Sequence, residues 1–118
     1  MQTIQSQAWD AVTSETMSAL IKRRALHTEH ATVARFELGQ DAVVGRHAHP
    51  NEQISTVLKG ALRLEFDDRH VVVRPGEVIV IPPDVPHAAT ALEDTVVLDF
   101  FSPRREDWIR HDDGYLRR

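Results

Sequence analysis

The chain has no cysteine. That absence excludes a disulfide framework and every thiolate zinc site, and with them the small secreted scaffolds that depend on such bridges. Long apolar runs are missing too. The best candidates are broken by Arg74, Glu77 or the Pro82 and Pro83 pair, well short of the roughly 20 residues a membrane helix needs. Nor is there an excess of positive charge: 14 basic residues face 18 acidic ones, for a net charge of −4. The basic residues are scattered instead of forming a stripe, which argues against nucleic acid as a partner. The opening MQTIQSQAW lacks the charged start and apolar core of a secretion signal. The expectation is a soluble protein in a reducing cytoplasm. With 118 residues there is room for a single domain, 1–118, around one core.

From Ile54 onward the sequence consists of short β-type runs: ISTVL, ALRLEF, HVVVR, EVIVI, HAATAL and TVVLDFF. Each is bounded by turn chemistry at Lys59 and Gly60, Asp67 and Asp68, Pro75 and Gly76, or Glu93 and Asp94. ATVARFEL continues the pattern upstream, and no helical segment separates the strands. This spacing predicts an all-β, antiparallel sandwich or barrel with its core at about residues 30–102. The stretch WDAVTSETMSALIKRRAL reads either as a short helix followed by an edge strand or as two strands, with its second half taken as a strand. At the other end, Ser102 and Pro103 look like an N-cap and a first helical residue, predicting a short helix through SPRREDWIR.

Polar residues stand out in HAHPNEQ, residues 47–53. On a strand, His47 and His49 would point to one face with their imidazoles about 6–7 Å apart, a workable span for two ligands of one metal. Taken alone, such a pair is equally a solvated or hydrogen-bonded feature of a strand edge. His87 adds weight, because it ends IPPDVPH, where Pro82, Pro83 and Pro86 stiffen the backbone that delivers it.

These residues resemble the two motifs of the cupin superfamily. The first, H-x-H with a later acid or amide and a glycine, appears as His47, His49, Gln53 and Gly60; the second appears as Gly76, Pro82 and His87. Asp84, Ala91 and Asp41 stand where the family usually has glycine, asparagine and glycine. The resemblance implies a jelly-roll barrel and one divalent transition metal held by His47, His49, Gln53 and His87. Nickel, zinc, manganese, iron and cobalt are all compatible with such ligands. His27, His30, His70 and His111 match no motif position.

The motif selects Gln53 over its neighbour Glu52, and strand alternation puts Gln53 on one face with Ser55 and Val57 while Glu52 faces away. Three imidazoles and an amide leave a divalent ion its full charge, which suits Lewis-acid work. The alternative is that Gln53 only hydrogen-bonds nearby, leaving a three-histidine site. Asp99 interrupts the apolar run TVVLDFF and should share a face with Val97 and Phe101. A carboxylate there is either a proton shuttle near the metal or half of an ion pair with an arginine. Arg104 and Arg105 fall in the first turn of the expected helix, where two guanidiniums and free N–H groups would make an anion site.

A narrower resemblance follows from HAHPNEQ, RPGE, IPPDVPH and LDFFSPRREDW. They look like the small cupins of pectin and alginate breakdown, which convert 4,5-unsaturated monouronates to linear 4-deoxy-5-keto uronates. By that resemblance Asp99, Phe101 and Arg105 serve catalysis, Arg105, Phe101 and Arg104 bind substrate, and the chain is a metal-dependent isomerase. It also implies an acidic sugar as ligand and a homodimer. Two other readings remain open from the residues: a noncatalytic cupin that binds a small acid as sensor or carrier, and an iron or manganese dioxygenase or lyase. The role of the N-terminal lead and of the tail HDDGYLRR is left unassigned.

Overall fold

Alternation of apolar and polar residues is what shapes this chain. The computed structural model describes residues 3–117. Its strands are β1 (Ser14–Ser18), β2 (Ile21–His27), β3 (Thr32–Leu38), β4 (Val43–His47), β5 (Glu52–Lys59), β6 (Leu62–Glu65), β7 (His70–Val73), β8 (Val78–Ile81), β9 (His87–Ala91) and β10 (Thr95–Ser102). All pair antiparallel in two sheets, one ordered β1-β2-β3-β10-β5-β8 and the other β4-β9-β6-β7. Every run expected from the sequence forms a strand. The ambiguous N-terminal stretch resolves into a single 3-10 turn, Trp9–Ala11, followed by two strands.

The period of two puts one face of each central strand inside. In β3 the buried set is Thr32, Ala34, Phe36 and Leu38; in β5 it is Gln53, Ser55 and Val57. Along β10, Asp99 pairs with Ser55, Phe101 with Gln53 and Val97 with Val57. One end of the interior is therefore apolar, closed by Leu38, Val57, Leu62, Leu64 and Val97. The other end is polar.

Turn chemistry matches the backbone. Gly60 and Gly76 have φ of +87° and +86°, in the region glycine enters without steric penalty. Asp41 and Asp84, which replace glycines of the cupin pattern, have φ of +71° and +64°. Aspartate tolerates that region better than most residues because its short side chain can bond locally.

Two expectations are corrected. His49 lies beyond the end of β4, in the loop to β5, so the two histidines do not share one strand. The C-terminal helix is a single turn, α1 (Glu106–Ile109), and does not begin at Pro103. β10 keeps pairing through Ser102, and Arg105 is drawn inward, its backbone N–H donating to Thr32 Oγ1 at 2.9 Å. Both arginines thus precede the helix, and the anion site expected in its first turn does not form; Glu106 and Asp107 occupy that turn instead.

Gly60 and Gly76 should respond differently to substitution. Gly76→Ala has open space for its Cβ and should lose about 1–2 kcal/mol from backbone strain alone. At Gly60 the added Cβ would overlap the Asp94 carbonyl oxygen and Thr95, so Gly60→Ala should lose more. Equal midpoints in urea would contradict this.

Candidate metal centre

Three elements bring the histidines together: the end of β4, the loop after it and the start of β9. The ligand atoms of His47, His49 and His87 lie within 4.8 Å of one another. Each ring has its Nδ1 against a backbone carbonyl: His47 on Gly45 at 2.8 Å, His49 on Asn51 at 3.1 Å, and His87 on Val85 at 2.8 Å. A carbonyl only accepts, so each Nδ1–H donates and each Nε2 keeps its lone pair for the shared space. Burial lowers all three imidazoles, His47 and His49 to about 4, so they are neutral at pH 7.

His49 Nε2 also faces Gln53 Oε1 at 3.0 Å. A neutral imidazole has one proton and His49 has two oxygen acceptors, so one contact sets lone pair against lone pair. A cation between Nε2 and Oε1 removes that conflict, and the donor set fits a divalent transition metal on this ground.

The polar chain continues inward. Gln53 Nε2 donates to Ser55 Oγ at 2.9 Å, and Ser55 Oγ donates to Asp99 Oδ1 at 2.6 Å. Burial raises the Asp99 carboxyl to about 6, against the opposing pull of the Ser55 hydrogen bond and the Arg105 charge. Among the described residues no arginine pairs with Asp99, so the ion-pair alternative is not realised. Asp99 lines a cavity of about 60 Å³ together with His47, His87, Gln53, Phe101 and Arg105.

Arg105 is 1% exposed and is the largest fully buried side chain among the described residues. Its guanidinium packs against both Phe101 and Trp108, at 4.6 and 4.3 Å from their ring centroids. Asp107 takes Nε and Nη2 at 2.9 and 2.7 Å, and Nη2 also donates to Tyr115 Oη at 2.6 Å. Arg104 behaves otherwise: it pairs with Glu106 at 2.6 Å, half-exposed, and borders an outer groove instead of the cavity. Glu52 is exposed and faces away, as alternation requires.

Several members of the site carry no local sequence signal. Ser55 was placed on the right face but not in a hydrogen-bonded chain. Asn51 donates to the carbonyls of Pro103 and Arg104 at 2.6 and 3.1 Å, fixing the loop that carries His49 to the segment after β10. Tyr115, the only tyrosine of the chain, stacks on His47 with ring centroids 4.3 Å apart.

An antiparallel two-sheet fold with a three-histidine cluster at its polar end defines a cupin with a candidate metal centre. The Cupin domain family matches residues 34–101, and the chain belongs to the cupin superfamily. It is similar to KdgF from Halomonas sp., at 32% identity with a TM-score of 0.77, over 84% of this chain and 94% of that one. An RmlC-like cupin from Shewanella frigidimarina is 26% identical, with a TM-score of 0.82 over 91% and 97% of the two chains. The polyketide cyclase RemF from Streptomyces resistomycificus shares the fold at 23% identity, with a TM-score of 0.74 over 86% and 80%. Comparison with curated proteins gives no match.

The lowered histidines set a pH dependence for the metal-free protein. Below the usual pKa of 6.5 the unfolded chain binds protons that the folded chain refuses until about pH 4, so stability falls as pH drops through that window. Asp99, raised to about 6, works in the opposite direction but offsets only about one proton. Thermal melts should therefore weaken from pH 6.5 towards 4. Zinc at about 100 times its Kd should add about 2.7 kcal/mol near neutral pH, and His87→Ala should remove that gain.

Proposed function

We propose that this cupin converts 4,5-unsaturated monouronates to linear 4-deoxy-5-keto uronates, with His47, His49, Gln53 and His87 as metal ligands. The observation that carries the reading is the placing of Asp99 and Arg105 in the same small cavity as the histidine cluster. Likeness to KdgF and to the uronate-linearising cupins in HAHPNEQ and LDFFSPRREDW supports it. A divalent ion held by these residues would supply Lewis acidity towards the substrate oxygens.

The rest is the work of the chain's own side chains. Arg105, fixed by two aromatic faces and by Asp107, anchors the substrate carboxylate. Asp99 first takes the proton of the anomeric hydroxyl as the bond between that carbon and the ring oxygen breaks, and returns it to that oxygen, giving an aldehyde and an enol. It then relays the enol proton to the adjacent carbon, leaving a ketone. Protons and electrons balance without an oxidant, as an isomerisation requires. A carboxyl raised to about 6 can hold and release protons near neutral pH, where both of its states are within reach. Phe101, 1% exposed, walls the cavity against water.

The test is metal-dependent loss of the conjugated double bond when the zinc- or nickel-loaded protein meets an unsaturated galacturonate. Asp99→Asn should cut turnover by about 10²–10⁴-fold while metal content stays at the wild-type level. An active Asp99→Asn variant would remove the proposed proton carrier.

The same proposal includes a homodimer. Leu26, Val33, Phe100, Ile54 and Val80 pair in register across β2, β3, β10, β5 and β8, forming one apolar row on the outer face of the large sheet. Phe100, Val80 and Val78 are 44%, 56% and 64% exposed. A contiguous apolar face of this kind fits a second copy of the sheet. Phe100→Lys should then run at single-chain mass in light scattering where the wild type runs at twice that, without loss of metal binding.

A further inference from the structure

The tail left unassigned by the sequence closes the site. After α1 the chain crosses back over β4 and ends in a second 3-10 turn, Gly114–Leu116. Asp113 is its fixed point, buried and bonded to Arg23 at 2.9 Å. Tyr115 follows, and three groups hold it. Its ring lies on His47 at an interplanar angle of 23°. Its hydroxyl oxygen accepts from Arg105 Nη2 at 2.6 Å and from Trp108 Nε1 at 2.9 Å.

Two spaces meet at this residue. The inner cavity of about 60 Å³ contains Asp99 and Arg105, whereas an outer groove of about 460 Å³ runs past Arg104 and Arg110. His47 and Tyr115 are the two residues that border both, so their stack is the partition between them. The inner space is too small for a sugar acid, since small-molecule pockets run to roughly 300 Å³ or more.

The hydrogen bonds of Arg105 indicate what displaces the partition. Asp107 takes one side of the guanidinium, through Nε and one hydrogen of Nη2. The end-on pair consists of Nη1, which bonds to none of the described residues, and the second hydrogen of Nη2, which Tyr115 occupies. Nη1 and Nη2 together form the fork that takes a carboxylate through both oxygens.

We infer that the Tyr115 hydroxyl stands in for one oxygen of a substrate carboxylate, and that residues Gly114–Leu116 swing away on Asp113 when an acid binds. The inference rests on the acidic substrate of the proposed function. Departure of Tyr115 joins the groove to the cavity, and withdrawal of Leu116, which also lines the cavity, enlarges it. Gly114 gives the turn its freedom, with open space where a Cβ would stand.

The test uses the zinc-loaded full chain, two Tyr115 variants and one variant for spectral assignment. Its probes are D-galacturonate, a uronate with no double bond to react, and a metal chelator. In the wild type, saturating galacturonate should shift the Trp108 indole N–H resonance, assigned with Trp9→Phe, because that donor loses its tyrosine partner. Tyr115→Phe keeps the ring but frees Arg105 Nη2, so it should bind galacturonate several-fold more tightly than wild type. Tyr115→Ala removes the partition and should release zinc to the chelator at least about tenfold faster. Bound galacturonate with an unmoved indole, or weaker binding by Tyr115→Phe, would make Tyr115 a fixed wall and overturn the inference. If no uronate binds, the chelator decides, and a wild-type rate in Tyr115→Ala overturns it. Turnover of unsaturated uronate with an unmoved indole would spare the function and remove the gate. The expected shifts without turnover would spare the gate and remove the function.

Discussion

The antiparallel register of β5 against β10 is the constraint on which the site depends. With a side-chain period of two, pairing Ser55 with Asp99 fixes Gln53 beside Phe101 and Val57 beside Val97, all on the inner face. A slip of β5 by one residue would turn Gln53, Ser55 and Val57 to solvent and bring Ile54, Thr56 and Leu58 inside. The register also decides which end of the interior is wet. Polar side chains crowd the end where β5 begins and β10 finishes, and the loop between β4 and β5 delivers His49 to that same end.

How far the sequence reveals this follows from the range of each signal. Strands were legible because alternation is local, and the three-histidine cluster because its spacing is set by a short loop and a proline-stiffened turn. Asp41 and Asp84 departed from the glycine pattern without harm, since both adopt the left-handed backbone the turns need. The start of the C-terminal helix was misread because Ser102 and Pro103 resemble a cap locally, while β10 and the burial of Arg105 carry the chain past them in extended form. Tyr115 was invisible for a related reason. Of its partners, His47 is distant in the chain, and Arg105 and Trp108 reach it only because the tail folds back after α1, so no periodicity connects them.

Burial of Arg105 is sustained by groups that each satisfy part of it. A desolvated guanidinium is costly unless its charge and donors are met. Asp107 meets the charge, held below its usual pKa by the Arg105 hydrogen bond and charge against the desolvation that would raise it. Phe101 and Trp108, packed edge to face, both lie against the ion. Arg23 lies against Trp108 as well, at 4.4 Å, and its pair with Asp113 ties the tail to β2. The aromatic cluster under the three histidines is thus clamped by two arginines, one facing the cavity and one fastening the segment that covers it.

The same hydrogen-bond chain explains why position 53 carries an amide instead of an acid. Asp99 accepts from the Ser55 hydroxyl, which leaves the Ser55 oxygen free to accept in turn. Only a donor can answer it, and the Gln53 amide N–H does so, leaving Oε1 aimed at His49. A glutamate at position 53 has no proton to give at neutral pH. It would set a second carboxylate against Ser55, leave one oxygen unsatisfied and face Asp99 with a like charge across a desolvated gap. The direction of the Gln53 amide, and with it the lone pair offered to a metal, is therefore set from the far end of the chain by Asp99. The residue proposed to move protons and the residue proposed to hold the ion are parts of one hydrogen-bonded unit.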